Sequence, residues 1–176
     1  MRSATSEDVA GLAVVEAASW RAAFVGLLPA DYLAGLDTER LCVSWKEKLA
    51  GGNWPSSGTL LAEGAVDGEV RTVGYSRFYP TEDMDDDPRT VSTIGALYTL
   101  PEVWGTGIGK TLMARTLATM AEAGFRSASL WVLEDNLRAR TFYQGQGWTH
   151  DGTVLRECSD GMPITKLRYR CALPTN

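Results

Sequence analysis

Three glycines at two-residue spacing, Gly105, Gly107 and Gly109, run into Lys110-Thr111 and then into an amphipathic stretch. Glycine frees the backbone for tight turns. A strand-to-helix turn without side chains leaves the first N–H groups of the helix pointing outward. Those donors, with the positive end of the helix dipole, make a ready anion site. The bland reading of the same residues is a turn that packs a helix on a sheet. Spacing narrows the choice of anion. The nucleotide phosphate loop G-x-x-x-x-G-K-[ST] has its ending in Gly109-Lys110-Thr111, but Trp104 stands where its first glycine belongs. Even spacing also breaks the dinucleotide pattern G-x-G-x-x-G. A second constellation follows in Asn136, Ala139, Phe142, Tyr143, Gly147 and Trp148. Asn136 is a natural helix N-cap and the two aromatics suit a core. A tyrosine hydroxyl, with pKa near about 10, is also a proton donor.

The elements that must position these residues are legible from periodicity. Thr93 to Leu100 is rich in β-branched and aromatic residues and is stopped by Pro101, which predicts a strand. From Ile108, Leu112, Met113, Leu117 and Met120 share one helical face, with Lys110, Arg115 and Glu122 opposite and Gly124 as C-cap. Upstream, Thr5 and Asp8 form a capping box for a helix to about Ala23, along which Val9, Leu12, Val15, Ser19, Trp20 and Phe24 align. Pro29 opens a short second helix through Leu36, and Thr38 caps a third with Leu41, Trp45 and Leu49 on one side. The aromatics Trp20, Phe24, Tyr32 and Trp45 suit a core; the sharper reading has some of them lining a pocket.

Residues 59–66 and 70–79 predict strands joined by a hairpin at Asp67-Gly68. Next, Glu82, Asp83, Asp85, Asp86 and Asp87 place five carboxylates within six residues, expected as a solvated, self-repelling loop. Attraction of a cationic amine or a divalent ion is the competing reading. Ser129 to Leu133 is a further strand, and a helix opened by Asn136 ends at Gly145 and Gly147. Trp148 to Leu155 is a strand, Glu157 to Met162 a turn, and Ile164 to Leu173 the last strand. The order predicts a single α+β domain over residues 1–176. Its mixed, mostly antiparallel sheet carries helices on both faces, with a helical layer over residues 1–50 and sheet and helices over 59–173.

Composition removes several classes. A chain of 176 residues is one domain by length and buries a real core. A formal net charge of −5 disfavours nucleic acid and mildly favours a cationic partner. No apolar run reaches membrane-spanning length, and Met1-Arg2-Ser3 carries no signal-peptide pattern, so no membrane partner is expected. Cys42, Cys158 and Cys171 are odd in number and lack metal spacing, which predicts reduced thiols in a cytoplasmic protein. His150, the single histidine, cannot build a histidine-based metal site alone, and no metal is expected.

Together the two constellations resemble the GNAT N-acetyltransferase superfamily. Trp104-Gly105-Thr106-Gly107-Ile108-Gly109 is similar to its pyrophosphate loop [QR]-x-x-G-x-[GA], departing at Trp104, where Gln or Arg is usual. That departure removes any guanidinium contact from the position. The run from Asn136 to Trp148 fills every specified position of N-x-x-A-x-x-F-Y-x-x-x-G-[FW]. The resemblance spans about residues 59–173 and implies acetyl-CoA as co-substrate, without a metal. It implies that Gly105, Thr106, Gly107, Gly109 and Lys110 hold the phosphates, and that Asn136 meets the pantetheine arm. Backbone N–H groups of Leu97, Tyr98 and Thr99 would hold the acetyl carbonyl, and Tyr143 would be the general acid. It further implies a central strand that splays from its neighbour so that pantetheine adds like an extra strand.

The acceptor implied is an amine-bearing small molecule or peptide, with a homodimer common among relatives. Acyl transfer sets a definite demand on it. An alkylamine of pKa about 10.4 is neutral in about 1 molecule per 2,500 at pH 7, so freeing it costs about 4.6 kcal/mol without help. Many relatives carry a glutamate on the central strand; the position here is Thr93. Glu63, Glu82 or Glu134 is left as a water-relayed base, His150 reads as a surface residue with reach to the acceptor side as the competing reading, and an acceptor of lower pKa needs little assistance. No cysteine lies in either motif, which predicts direct transfer in a ternary complex. The competing functions are a non-catalytic acyl-CoA-binding module on the same fold and a nucleotide-phosphate binder built on Gly109-Lys110-Thr111.

Overall fold

The computed structural model describes residues 1–159 and 162–174. Among them, seven strands form one sheet in the order β1-β2-β3-β4-β5-β7-β6. The hairpin at Asp67-Gly68 joins β2 (Gly58–Val66) to β3 (Glu69–Pro80), and both turn residues take positive φ, 54° and 84°. That turn geometry matches the twist of the strands it joins. β4 (Val91–Thr99) pairs antiparallel with β3, while β5 (Ser127–Leu133) lies parallel to β4. A parallel neighbour needs a crossover, and α4 (Ile108–Glu122) supplies it. β7 (Met162–Ala172) inserts antiparallel between β5 and β6 (Thr149–Ser159). On the opposite edge a two-residue strand, β1 (Arg2–Ser3), pairs with Leu60 and Leu61. Two residues carry no periodicity, so β1 had no signal in the sequence.

Alternation along the strands builds two cores. Leu60, Phe78 and Ile94 face α4, whose Leu112, Met113 and Met120 are buried against them. Leu61, Val73 and Tyr75 point the other way. They meet Leu12 and Val15 of α1 (Val9–Ala23) and Trp45 of α3 (Thr38–Ala50). A short α2 (Ala30–Ala34) completes the N-terminal layer, and α5 (Leu137–Gln144) packs beside α4 on the first core. The fold class expected from the sequence is therefore the one observed. No helix among the described residues is long and apolar enough to cross a membrane.

Local signals were realised with small adjustments at element ends, α2 among them, which stops at Ala34 short of Leu36. The Thr5–Asp8 capping box forms, but on a 3₁₀ turn (Ser6–Asp8) that leads into α1. Asp37, not Thr38, caps α3. Its backbone is extended and its carboxylate accepts from the Glu39 N–H at 2.9 Å, so Thr38 is already the first helical residue. The turn expected over Glu157 to Met162 is shorter, because β6 runs on to Ser159 and β7 starts at Met162. Asp160 and Gly161 lie outside the described residues.

The acidic segment is the main correction. The loop is solvated at Glu82, Asp85 and Arg89, as expected, but it is clamped instead of self-repelling. Arg168, only 4% exposed on β7, bonds Asp85 at 2.6 Å, reaches Asp83 at 3.4 Å, and bonds Asp151 at 2.7 Å. Arg170 bonds Asp86 at 2.8 Å, and Arg89 bonds Asp87 at 2.9 Å. The Arg168 hydrogen bond holds the Asp85 carboxyl down at about 2. Burial pushes the Asp151 carboxyl up, yet hydrogen bonds from Arg170, Thr153 and Arg168 outweigh it and carry it far below the ordinary carboxylate range. Of the five, Glu82 alone has no charge partner among the described residues, and its side chain is exposed.

Candidate active site

The site begins where the parallel pairing stops. β4 and β5 are in register at Val91↔Ser127, Ser92↔Ala128 and Thr93↔Ser129, and the two strands then separate although β4 runs to Thr99 and β5 to Leu133. A β-bulge between β3 and β4 falls beside the same point. The Tyr79 hydroxyl passes 2.7 Å from where a Cβ on Gly95 would lie, so a side chain there would collide with it. The result is a V-shaped split that opens into a cavity of about 790 Å³.

One wall is β4. Leu100 N–H donates to Val73 O at 2.8 Å. Strand alternation then turns Tyr98 toward Tyr75 on β3 and leaves Leu97 and Thr99 facing the split. On that alternation the Tyr98 N–H points to β3, not into the split, while the residue itself lines the cavity. Burial pushes its hydroxyl well above the ordinary tyrosine range. The Thr99 carbonyl accepts from Ser19 Oγ at 2.9 Å and Trp104 Nε1 at 3.0 Å, tying α1 and the glycine loop to the end of β4.

The glycine loop forms the floor. Gly105 and Gly107 take φ of 80° and 92°, which side chains resist, and Thr106 donates to Val103 O at 2.7 Å. Gly107 is the N-cap of α4 and offers no side-chain cap, so the N–H groups of Ile108, Gly109 and Lys110 have no intrahelical carbonyl. A Cβ on Gly109 would lie 3.6 Å from the Phe142 ring, which lets α4 start close against α5.

The opposite wall is α5. Asn136 caps it, accepting from Ala139 N–H at 3.1 Å, and lines the cavity at the same time. Tyr143 sits between Phe142 and Trp148, with ring centroids 5.5 and 6.2 Å away. Burial pushes its hydroxyl up to about 12, so it holds its proton throughout the neutral range. Trp20, Phe24 and Tyr32 close the N-terminal side, as the sharper reading of those aromatics predicts, whereas Trp45 is core.

Thr93 is buried, its hydroxyl 2.8 Å from that of Ser129. The three glutamates considered as relayed bases are not on the cavity wall. Glu63 pairs with Arg2 at 3.0 Å, Glu82 flanks a separate shallow depression, and Glu134 is exposed. His150 is exposed, with Nε2 3.2 Å from Thr153 O, as a surface histidine should be. Among the described residues that line the cavity, Lys110, Arg138 and Lys166 are cationic and none is Asp, Glu or His. Sequence reasoning missed Arg138 and Trp131. Arg138 occupies an unspecified position of the second motif, and Trp131 is one aromatic in a buried strand. Its ring lines the cavity while Nε1 donates to Asp83 at 3.1 Å.

A split parallel pair with an uncapped glycine loop at its end defines a class of protein, and the comparisons name it. The family model described as "Acetyltransferase (GNAT) family" matches residues 31–148. The chain belongs to that family. YuaI, an uncharacterized N-acetyltransferase of Bacillus subtilis (strain 168), is 28% identical over 144 residues, covering 82% of this chain and 76% of YuaI. Among solved structures, yncA of Salmonella typhimurium with its cofactor acetyl-CoA superposes with TM-score 0.68 at 16% identity, over 99% of this chain and 94% of that one. An N-acetyltransferase from Staphylococcus aureus Mu50 gives TM-score 0.71 at 15% identity, over 98% and 97% of the two chains.

Proposed function

We propose that the protein is an acetyl-CoA-dependent N-acetyltransferase that moves the acetyl group directly to an amine in a ternary complex. The observation that carries this reading is the coincidence, on one cavity, of the β4–β5 split, the uncapped N-terminus of α4 and the Tyr143 hydroxyl. Phosphates rest on the N–H groups of the glycine loop with Lys110 beside them. Pantetheine runs along the open edge of β4, where Leu97 and Thr99 face it, and passes Asn136. That yncA was solved with its cofactor acetyl-CoA supports the same assignment here.

In the transfer step the amine lone pair attacks the thioester carbonyl, and charge develops on its oxygen near the free β4 donors. The C–S bond then breaks, and the departing sulfur meets the Tyr143 hydroxyl. With Tyr143 at about 12 and a thiol near about 8.5, complete proton transfer to sulfur is uphill by about 5 kcal/mol. Tyr143 therefore acts first as a hydrogen-bond donor to the thiolate, and the proton is made good from water. The new ammonium loses its proton to solvent.

Thr93, bonded to Ser129, offers no base. The cavity thereby suits acceptors that are cheaper to deprotonate near pH 7 than an alkylamine, such as an α-amine of pKa about 8, neutral in about 1 molecule in 10, or an arylamine. The same buried Thr93 favours a second reading, a non-catalytic acyl-CoA-binding module.

A screen of α-amines, arylamines and alkylamines, read as CoA release, separates the two. Turnover with the low-pKa acceptors is expected. In that assay Tyr143→Phe lowers kcat by about 10²–10³-fold while leaving acetyl-CoA affinity near wild type. Tight cofactor binding with no turnover on any amine would favour the module, and equal loss of kcat and affinity would make Tyr143 a folding residue.

A further inference from the structure

Trp104 breaks the family's loop pattern, and the structure shows what stands on it. The indole is fixed at its edge by the Nε1 bond to Thr99 O at 3.0 Å. The Arg138 guanidinium of α5 lies over its face, with Cζ 3.3 Å from the ring centroid. Both residues line the cavity beside Lys110. The other arginines of this region are spoken for: Arg140 donates to Glu134 O at 2.7 Å, and Arg168 and Arg170 are bound by aspartates. Among the described residues Arg138 has no hydrogen-bond or carboxylate partner. Stacking occupies the faces of a guanidinium and leaves its five donors free around the rim. The ring thus orients the fork without consuming it.

We infer that Arg138, held on Trp104, is a phosphate-binding residue of the cofactor cleft. Its rim donors pair with phosphate oxygens of a CoA-type ligand seated on the glycine loop. The guanidinium that the loop lacks at Trp104 is in this way delivered from across the cleft. A cation placed there matters more in a chain of net charge −5 than in a basic one. The inference rests on the acetyl-CoA reading above, and the test keeps the two apart.

The experiment is calorimetric titration of CoA, 3′-dephospho-CoA and pantetheine into wild type, Arg138→Met, Trp104→Ala and the double variant Trp104→Arg/Arg138→Met. Arg138 is exposed, so Arg138→Met should keep the ligand-free melting midpoint. It is expected to weaken CoA by about 10- to 100-fold and to leave pantetheine unchanged. Trp104→Ala, which keeps the charge and frees its orientation, should weaken CoA less, and the double variant should regain affinity over Arg138→Met. A loss that persists with 3′-dephospho-CoA assigns the contact to the pyrophosphate; a loss that disappears assigns it to the 3′-phosphate; both support the proposal. Equal weakening of CoA and pantetheine, or unchanged CoA affinity in Arg138→Met, overturns it. Failure of CoA to bind wild type contradicts the underlying reading, and the proposal with it.

Discussion

Two segments of this protein concentrate polar groups, and they use them in opposite ways. The acidic loop holds five carboxylates in six residues, and four of them end on arginine. The glycine loop holds no carboxylate, and the leading N–H groups of its helix have no partner among the described residues. The first is saturated but for Glu82, and its paired charges act as fasteners. The second is left open at a cavity wall with Lys110 and Arg138 beside it. A dense charge cluster is thus weak evidence of a binding site until its partners are counted. Unmet donors at a cavity are the better sign.

The largest expected effect comes from breaking the saturated side. Arg168→Met removes the buried centre of the clamp and leaves Asp83, Asp85 and Asp151 facing one another, at a cost of about 3 kcal/mol in chemical denaturation. Acetyl-CoA affinity should change little, since none of residues 82–87 lines the cavity. A matching loss of cofactor affinity would show that the two regions are coupled through Trp131. On the open side, Gly107→Val forces a β-branched residue to a φ of 92°. Strain of about 1–3 kcal/mol is expected to appear mainly as about 10- to 100-fold weaker cofactor binding. Unchanged affinity would remove the loop from the site.

The smallest effect is a pH dependence shared by the clamp and the Arg2–Asp8 pair near the N-terminus. Asp85 is held at about 2 by Arg168 and Asp8 at about 2 by Arg2. Both lie below the unfolded value of about 3.9. Their contribution is complete above about pH 4 and is lost as pH falls toward 2. The melting midpoint should therefore sag across that window in wild type, and less so in Asp85→Asn.

The same contrast explains what the sequence could and could not disclose. The glycine spacing, the Asp67-Gly68 hairpin, the Thr5 capping box and the Asn136 cap are signals carried within a few residues, and each was realised. The clamp joins residues 83–86 to Arg168 and Arg170 across more than eighty positions, so composition alone read it as a self-repelling loop. The Trp104–Arg138 stack lies between two motifs, at a departure in one and an unspecified position in the other. Which β4 donors face the split depends on the register with β3, and that register is set by packing, not by any local pattern.

The most direct test of the account is a thermal-shift comparison of acetyl-CoA, CoA and ATP on the wild-type chain. A ligand at 100 times its Kd adds about 2.7 kcal/mol of apparent stability, a rise of several degrees for a domain of this size. Stabilisation by both CoA species and none by ATP is the predicted result. No response to either CoA species would contradict the central claim that the glycine loop and the β4–β5 split form an acetyl-CoA site.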